Sequence, residues 1–460
     1  MCFYSTKIFT VIFLVFFVTI NITAQEVSEE EIRIAIDNIA RLLEKNYVFE
    51  SVASDCGKHL KEYFEEGGFE QIITYSEFAE TLTAELQKVS KDKHMRVTVE
   101  ERGMNNVRMM DPILENYLFQ QRMKNDNFGI AEVKHLEGNI GYLDIRFFPP
   151  VQVAGKYFGA AMKLLSNSDA LIIDLRKNSG GNPDLIRNIL SYFFDQPVHL
   201  NSIYRRAEDK TEEFWTLEKV DGKKMPDVPV FVLTSSYTFS GGEEFAYDLQ
   251  SRERATIIGE VTGGGANPGE TFPVNNQLNI FIPTGRAVNP VTNANWEGTG
   301  VHPDILADQE DAFKVALEMA LIAAEKHKKE KQENVSEIIS DIRNKLSKAD
   351  DLLFEKNISK AEKVIFEALK YGLDNNILDE MLINIIGYEF LGQEKALMAK
   401  IIFQFNVKAF PESWNVYDSL AEAYMNLGEK QEAISYYEKS LELNPENQNG
   451  KNMLKKLKEE

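Results

Sequence analysis

From Glu29 to Ser90 apolar residues recur at three- and four-residue spacing, in IRIAIDNIARLLEKNYVF and again in EFAETLTAELQKV. That is the period of amphipathic helices with one buried face, and it predicts a small helical N-terminal subdomain over residues 25–100. The texture changes after KDKHMRVTVE. FGIAEV, NIGYLDIRFF, ALIIDLR, VFVLT and ATIIGE are short β-prone runs, with helical stretches at Val153–Leu165, Pro183–Phe194 and Glu243–Gln250 between several of them. Strands alternating with helices predict an α/β layer around a buried, largely parallel sheet, placed at residues 101–325. The charged run EKHKKEKQEN, residues 325–334, lacks apolar positions and marks a linker or an exposed helix end.

Residues 335–460 return to a helical period. WNVYDSLAEAYMNLGEKQEAISYYEKSLELNP carries Trp414, Leu420, Ala421, Tyr424, Gly428, Ala433, Tyr437 and Pro445, and Pro411 precedes Pro445 by 34 positions. The segment resembles a tetratricopeptide repeat, and SKAEKVIFEALKYG and EFLGQEKALMAKIIFQFNVKAFP look like degenerate neighbours. Such an all-α domain either offers a concave surface to a protein partner or only completes its own core.

Composition narrows the picture. A chain of 460 residues fits two to four domains at about 150 residues each. Residues 1–24 carry Lys7, an apolar stretch from Ile8 to about Ile20, and the small Ala24 before Gln25. This is the pattern of a secretory signal peptide, with a retained anchor as the alternative, and it predicts a secreted or periplasmic protein. Cleavage after Ala24 leaves Cys56 as the one cysteine, so no intrachain disulfide forms. A net charge of −21 argues against nucleic-acid binding. The six histidines are scattered singly, and Cys-x-x-Cys, His-Glu-x-x-His and Gly-x-x-x-x-Gly-Lys patterns are absent. No metal or cofactor is therefore expected.

The candidate chemistry lies in TSSYTFSGGEEFAYDL, residues 234–249. Ser240 and Glu243 spell the Ser-x-x-Glu capping box, which by itself only starts a helix. A serine nucleophile needs a base, a group to orient that base, and N–H donors for the oxyanion. Ser240 stands where a strand gives way to a helix, so the Gly241 amide is one donor. DLRKNSGGNPDLI supplies a second turn, in which Gly180 and Gly181 follow the strand ALIIDLR. The two turns share a sheet edge if their strands are parallel neighbours, and ligands bind at that edge of open α/β sheets. Otherwise Gly180–Gly181 is an ordinary tight turn. His94 in KDKHMRV is the candidate base and Glu297 in NANWEGTGVHPDI the orienting acid. A lone histidine is commonly structural, and a loop glutamate commonly solvated.

KDKH, DLRKNSGG, TFSGGEEFAY, IGEVTGGGANPGETF, IPTGRAVNP and WEGTGVHPD, in this order, resemble the C-terminal processing peptidase family. The similarity is to its branch related to interphotoreceptor retinoid-binding protein and the tricorn protease core, over roughly residues 28–310. The resemblance implies a crotonase-like α/β core that cuts peptides through an acyl-enzyme. It places the nucleophile on Ser240 and the oxyanion donors on Gly241 and the Gly180–Gly181 turn. The family's other branch uses a lysine within Gly-Glu-x-Thr-x-Gly-Lys; here GEVTGGG puts Gly265 at that position, and no lysine occurs between Lys224 and Lys314. The tricorn-like arrangement remains, with His94 as base and Glu297 as orienting acid. Tricorn-type sites have a serine before the histidine, where this chain has Lys93, and the chain before NIGYLDI is too short for a PDZ domain. The reading is a serine peptidase acting on peptides or proteins. Its rivals are a non-catalytic module for an apolar ligand or peptide, and a scaffold whose repeats dock a partner.

Overall fold

The computed structural model describes residues 27–100 and 112–459, so the segment read as a signal peptide lies outside the described residues. The chain divides into two compact units, Met1–His327 and Lys328–Glu460.

The first unit begins with α1 (Glu29–Asn46), α2 (Glu50–Glu65) and α3 (Tyr75–Ser90), followed by β1 (Arg96–Val99) and α4 (Pro112–Asn125). The sheet region follows with β2 (Ile130–Leu136), β3 (Ile140–Ile145), α5 (Val151–Leu165), β4 (Ala170–Asp174) and α6 (Pro183–Leu190). A hairpin, β5 (His199–Arg205) and β6 (Lys210–Trp215), precedes β7 (Val230–Thr234), α7 (Gly241–Gln250) and β8 (Ala255–Gly259). Then come β9 (Gly269–Pro273), β10 (Leu278–Pro283), β11 (Gly285–Val288) and β12 (Ile305–Leu306).

Six strands form the main sheet in the order β12-β8-β7-β4-β3-β2. Neighbours from β12 to β3 run parallel and β2 joins β3 antiparallel. Every residue of β3, β4 and β7 is buried, because both faces of the sheet are covered. Leu143, Ile145, Leu171 and Ile173 enter a core with Phe158, Met162, Ile189 and Phe245 of the helices. On the other face Ile140, Ile172 and Leu233 meet Ala312, Ala316, Ala320 and Ala324, a small-residue stripe of helix α8 (Ala312–Phe354).

The N-terminal helices are not closed by themselves. Val97 of β1 and Leu278, Ile280 and Ile282 of β10 pack with Ile39, Leu43, Phe78, Leu82 and Leu86. β1 pairs antiparallel with β10, so the turn between α3 and β1, which carries His94, is held against residues from far along the chain.

The second unit is helical. α8 runs continuously through the charged run 325–334 and is followed by α9 (Ile358–Asp374), α10 (Glu380–Gly392), α11 (Ala396–Ala409), α12 (Trp414–Asn426), α13 (Lys430–Leu443) and α14 (Gln448–Glu459). α10, α12 and α14 start 34 positions apart, which matches the repeat period read at Pro411 and Pro445. Leu420, Ala421, Tyr424, Ala433 and Tyr437 lie in its core. Among the described residues no helix is long and apolar enough to cross a membrane.

Candidate active site

β4 and β7 are parallel neighbours, in register from Leu171 opposite Val230 to Asp174 opposite Leu233. Both glycine-bearing turns therefore leave the same edge of the sheet. They are also stitched together: the Phe239 amide donates to the Asn178 carbonyl at 3.1 Å, and the Thr238 hydroxyl to the Leu175 carbonyl at 2.8 Å.

Ser240 has φ 54° and ψ −120°, a backbone conformation that L-residues rarely adopt and one that a sharp strand-to-helix turn imposes on an outward-pointing serine. The same sequence box occurs at Ser28–Glu31 and Thr74–Glu77, where the capping residue is extended and its hydroxyl accepts the third helical amide at 3.3 and 3.2 Å. At Ser240 only one arm of that arrangement carries a hydrogen bond. Glu243 Oε2 accepts from the Ser240 amide at 2.7 Å, while the Glu243 amide donates to the Ser240 carbonyl at 2.9 Å. The Ser240 hydroxyl keeps the placement of a capping box relative to the Glu243 amide but forms no side-chain hydrogen bond with it, that amide going to the Ser240 carbonyl instead.

Gly180 packs directly on this turn: a Cβ there would lie 2.8 Å from Ser240 Cβ, and its φ of +97° suits only glycine. Its amide, however, donates to Asn178 Oδ1 at 2.8 Å, so of the three expected donors Gly180 is already engaged. The amides of Gly181 and Gly241 make no hydrogen bond among the described residues. They are neighbours, since a Cβ on Gly241 would lie 2.9 Å from the Gly181 nitrogen.

His94 follows the left-handed Lys91 that ends α3. Its amide donates to Asp92 Oδ1 at 3.0 Å, and its ring lies 4.6 Å from that of Phe239 and 5.9 Å from that of Phe281. Glu297 Oε2 accepts the amides of Ala266 at 2.6 Å and Asn267 at 3.2 Å, and neighbouring Trp296 anchors the loop through Nε1 to the Gly265 carbonyl at 2.8 Å. His94 Nδ1 and Glu297 Oε1 are both buried without a partner among the described residues. A ring nitrogen of His94 and a carboxylate oxygen each of Glu297 and Asp92 lie within 4.8 Å of one another.

Burial, with the charge of Arg96, lowers the His94 pKa to about 4. Burial, with the charge of Asp92, raises that of Glu297 to about 7, against the pull of the two amides. Burial also pushes Asp92 up, opposed by donors from Asn267, His94 and Tyr47. The three side chains have the spacing of a metal site, yet Asp92 already accepts from His94, Tyr47 and Asn267. Of these three side chains, His94 Nδ1 and Glu297 Oε1 are the buried atoms left without a hydrogen-bond partner among the described residues.

Glu243 is more than a cap. Its carboxylate accepts Thr262 Oγ1 and the amides of Gly264 and Gly265 as well as that of Ser240, fixing GEVTGGG against the serine turn. A Cβ on Gly265 would collide with Phe239 Cζ at 2.3 Å and His94 Cε1 at 2.7 Å. The position that carries lysine in the other branch of the resembled family is thus filled from outside by the phenylalanine and histidine rings. Asp92 and Asn178 were not singled out from the sequence. Asp92 had a local signal, an acid two residues before the candidate histidine, whereas Asn178 is recognisable only from the turn it builds.

Ser240, His94, Gly181, Ser179, Phe239 and Phe281 line one cleft of about 860 Å³ at the sheet edge.

Residues 139–307 match peptidase family S41, residues 23–123 match the N-terminal domain of that family in eukaryotic IRBP, and residues 414–447 match a tetratricopeptide repeat. Residues 139–307, the sheet region of this chain, are a peptidase family S41 domain. The chain is 28% identical over 187 residues to the carboxy-terminal processing protease CtpB of Bacillus subtilis, covering 40% of this chain and 37% of that one. It is 27% identical over 194 residues to the carboxy-terminal-processing protease of Bartonella bacilliformis, covering 40% and 42%. The chain thus spans well under half the length of these relatives. Among solved structures, the photosystem II D1 C-terminal processing protease aligns with 62% of this chain and 94% of its own at 14% identity, with a TM-score of 0.40.

Proposed function

We infer that the protein is a serine peptidase that hydrolyses peptide bonds through an acyl-enzyme on Ser240. The observation that carries this reading is the Ser240 turn: a serine at positive φ whose hydroxyl makes no side-chain cap hydrogen bond, beside two amides unpartnered among the described residues, at the mouth of a cleft shared with the half-buried His94.

In this reading His94 takes the proton from Ser240 Oγ as Oγ bonds to the scissile carbonyl carbon. The carbonyl oxygen becomes an oxyanion between the amides of Gly241 and Gly181, at the positive end of α7. His94 then gives the proton to the leaving amine, the C–N bond breaks, and a water repeats the sequence to release the acyl group. With a pKa lowered to about 4, His94 is neutral and able to accept at physiological pH. The difficulty is holding the proton once accepted, and a rotation bringing Glu297 Oε1 to Nδ1–H supplies the counter-charge. Lys93 occupies the place of the tricorn-type serine and donates instead to the Gly263 carbonyl at 2.5 Å, so it plays no part in the proton transfer.

The apolar stretch after Lys7 and the small Ala24 support a secreted or periplasmic location, and the C-terminal repeats are read as docking a protein partner or a folded substrate. Labelling by a fluorophosphonate probe, abolished by heat and by Ser240→Ala, together with a peptide-library digest of both proteins, tests the chemistry. A probe that leaves native wild type unlabelled, with no cleavage in the library, favours a non-catalytic binding module.

A further inference from the structure

The chain carries 72 acidic against 51 basic residues, yet the thirteen described residues lining the cleft include two cations, Lys93 and Arg96, and among them no carboxylate. Both cations are exposed. Lys93 bonds a neutral carbonyl, that of Gly263, which leaves its charge uncompensated. Arg96 has no ion pair or hydrogen bond among the described residues. Its position is fixed by the sheet: Arg96 lies opposite Phe281 in the β1–β10 register, and the Phe281 ring stacks on His94. Lys93 and Arg96 therefore flank the histidine, while Tyr237, Phe239, Phe281, Pro183 and Pro268 provide apolar walls. The two nearby acids, Asp92 and Glu297, are not among the described lining residues; Asp92 accepts from Asn267, and one oxygen of Glu297 accepts the Ala266 amide.

An unpaired cation at the rim of a cleft concentrates anionic ligands there, since the cleft focuses its field. On a protein of net charge −21, this pair of cations is a local inversion of sign. Resting on the serine-peptidase reading, we propose that the cleft selects peptides bearing a carboxylate close to the scissile bond, held by Lys93 and Arg96, next to an apolar residue seated on the aromatic walls. The carboxylate is either an Asp or Glu side chain or the C-terminal α-carboxylate.

Paired fluorogenic peptides that differ only as Glu against Gln, or as C-terminal acid against C-terminal amide, separate the two sources. The expected result is a preference of about two- to fivefold for one carboxylate series, the scale of an exposed ion pair, that shrinks as salt is raised. Lys93→Gln retains a donor for Gly263, and combined with Arg96→Gln it should bring the ratio close to one, acting on KM more than on kcat. Arg96→Glu should turn the preference toward Lys-bearing peptides. Binding of the same labelled peptides to Ser240→Ala, read by fluorescence polarisation, measures the selection without hydrolysis. A carboxylate preference in binding with no hydrolysis by wild type sinks the peptidase reading and leaves the subsite standing. Hydrolysis with equal rates for both members of each pair, or a ratio unchanged in the double variant, overturns the subsite.

Discussion

A Cβ placed on Gly265 would sit 2.7 Å from Cε1 of His94 and 2.3 Å from Cζ of Phe239. The glycine is what lets the histidine ring stand beside the serine turn. Gly265→Ala should displace both rings and lower kcat/KM by about tenfold or more, some 1.4 kcal/mol of barrier. Adding Phe239→Leu, which vacates the nearer collision, should recover part of that loss. Steady-state kinetics of the single and double variants measure the coupling, and purely additive losses would show that the steric relationship is irrelevant.

The backbone of Ser240 stores strain, and its removal is measurable. Ser240→Gly relieves the positive φ that Ser240→Ala retains, so the glycine variant should be the more stable of the two by about 1 kcal/mol, with both inactive. Chemical denaturation of the pair checks this.

Asp92 lies within 4.8 Å of Glu297 and its charge helps to hold the Glu297 pKa high. Asp92→Asn keeps an acceptor for the His94 amide but removes the like charge. Ionisation of Glu297 then becomes easier, so the acidic limb of the kcat/KM profile should move below pH 7, and the variant should retain a larger share of its own maximum at pH 6. A limb that stays in place would mean that Asp92 only shapes the turn.

The parallel sheet was legible because β3, β4, β7 and β8 are short β-rich runs separated by helical periods, and the serine turn because serine, glycines and glutamate fall together. The β1–β10–β9 sheet was not. Its strands are short and antiparallel, β1 and β9 are largely exposed, and β1 lies about 180 residues from its partner, so local periodicity does not show the pairing. The Ser-x-x-Glu box at Ser240 shows the same limit from the other side. Its letters match those of Ser28 and are close to those of Thr74, and the backbone at the capping residue, φ 54° at Ser240 against extended at the other two, is what tells them apart. Gly180 and Gly181 look equivalent in sequence, yet the buried Asn178 side chain takes one amide and leaves the other.

Because the repeats form a compact unit of their own, docking and chemistry should separate. Removal of residues 335–460 should leave cleavage of short peptides nearly unchanged while slowing cleavage of a folded protein substrate. Equal loss on both substrates would show that the repeats support the fold of the first unit.

Glu297 is the residue whose two roles pull in opposite directions. Its pKa is raised to about 7 by burial and by Asp92, so near neutrality it is partly protonated. Only the anion can stabilise the imidazolium formed as Ser240 attacks, so kcat/KM of the wild type should rise with pH through about 7. Glu297→Gln should lose that limb, leaving a shallow dependence near the lowered His94 value of about 4, and should reduce kcat on the order of a hundredfold with little change in KM. Adding Ser240→Ala to it should cost little beyond Ser240→Ala alone. Stability runs the other way. Between the unfolded carboxyl value of 4.5 and about 7 the native state holds a proton that the unfolded chain has released, so wild-type stability falls as pH rises through that window. Glu297→Gln removes the titration, keeps an oxygen for the Ala266 and Asn267 amides, and should therefore show a higher Tm than wild type at pH 8, with the advantage shrinking toward pH 4.5. Turnover within about threefold of wild type, or a Tm difference independent of pH, would make Glu297 a loop residue held by two amides and leave His94 to be oriented by Asp92.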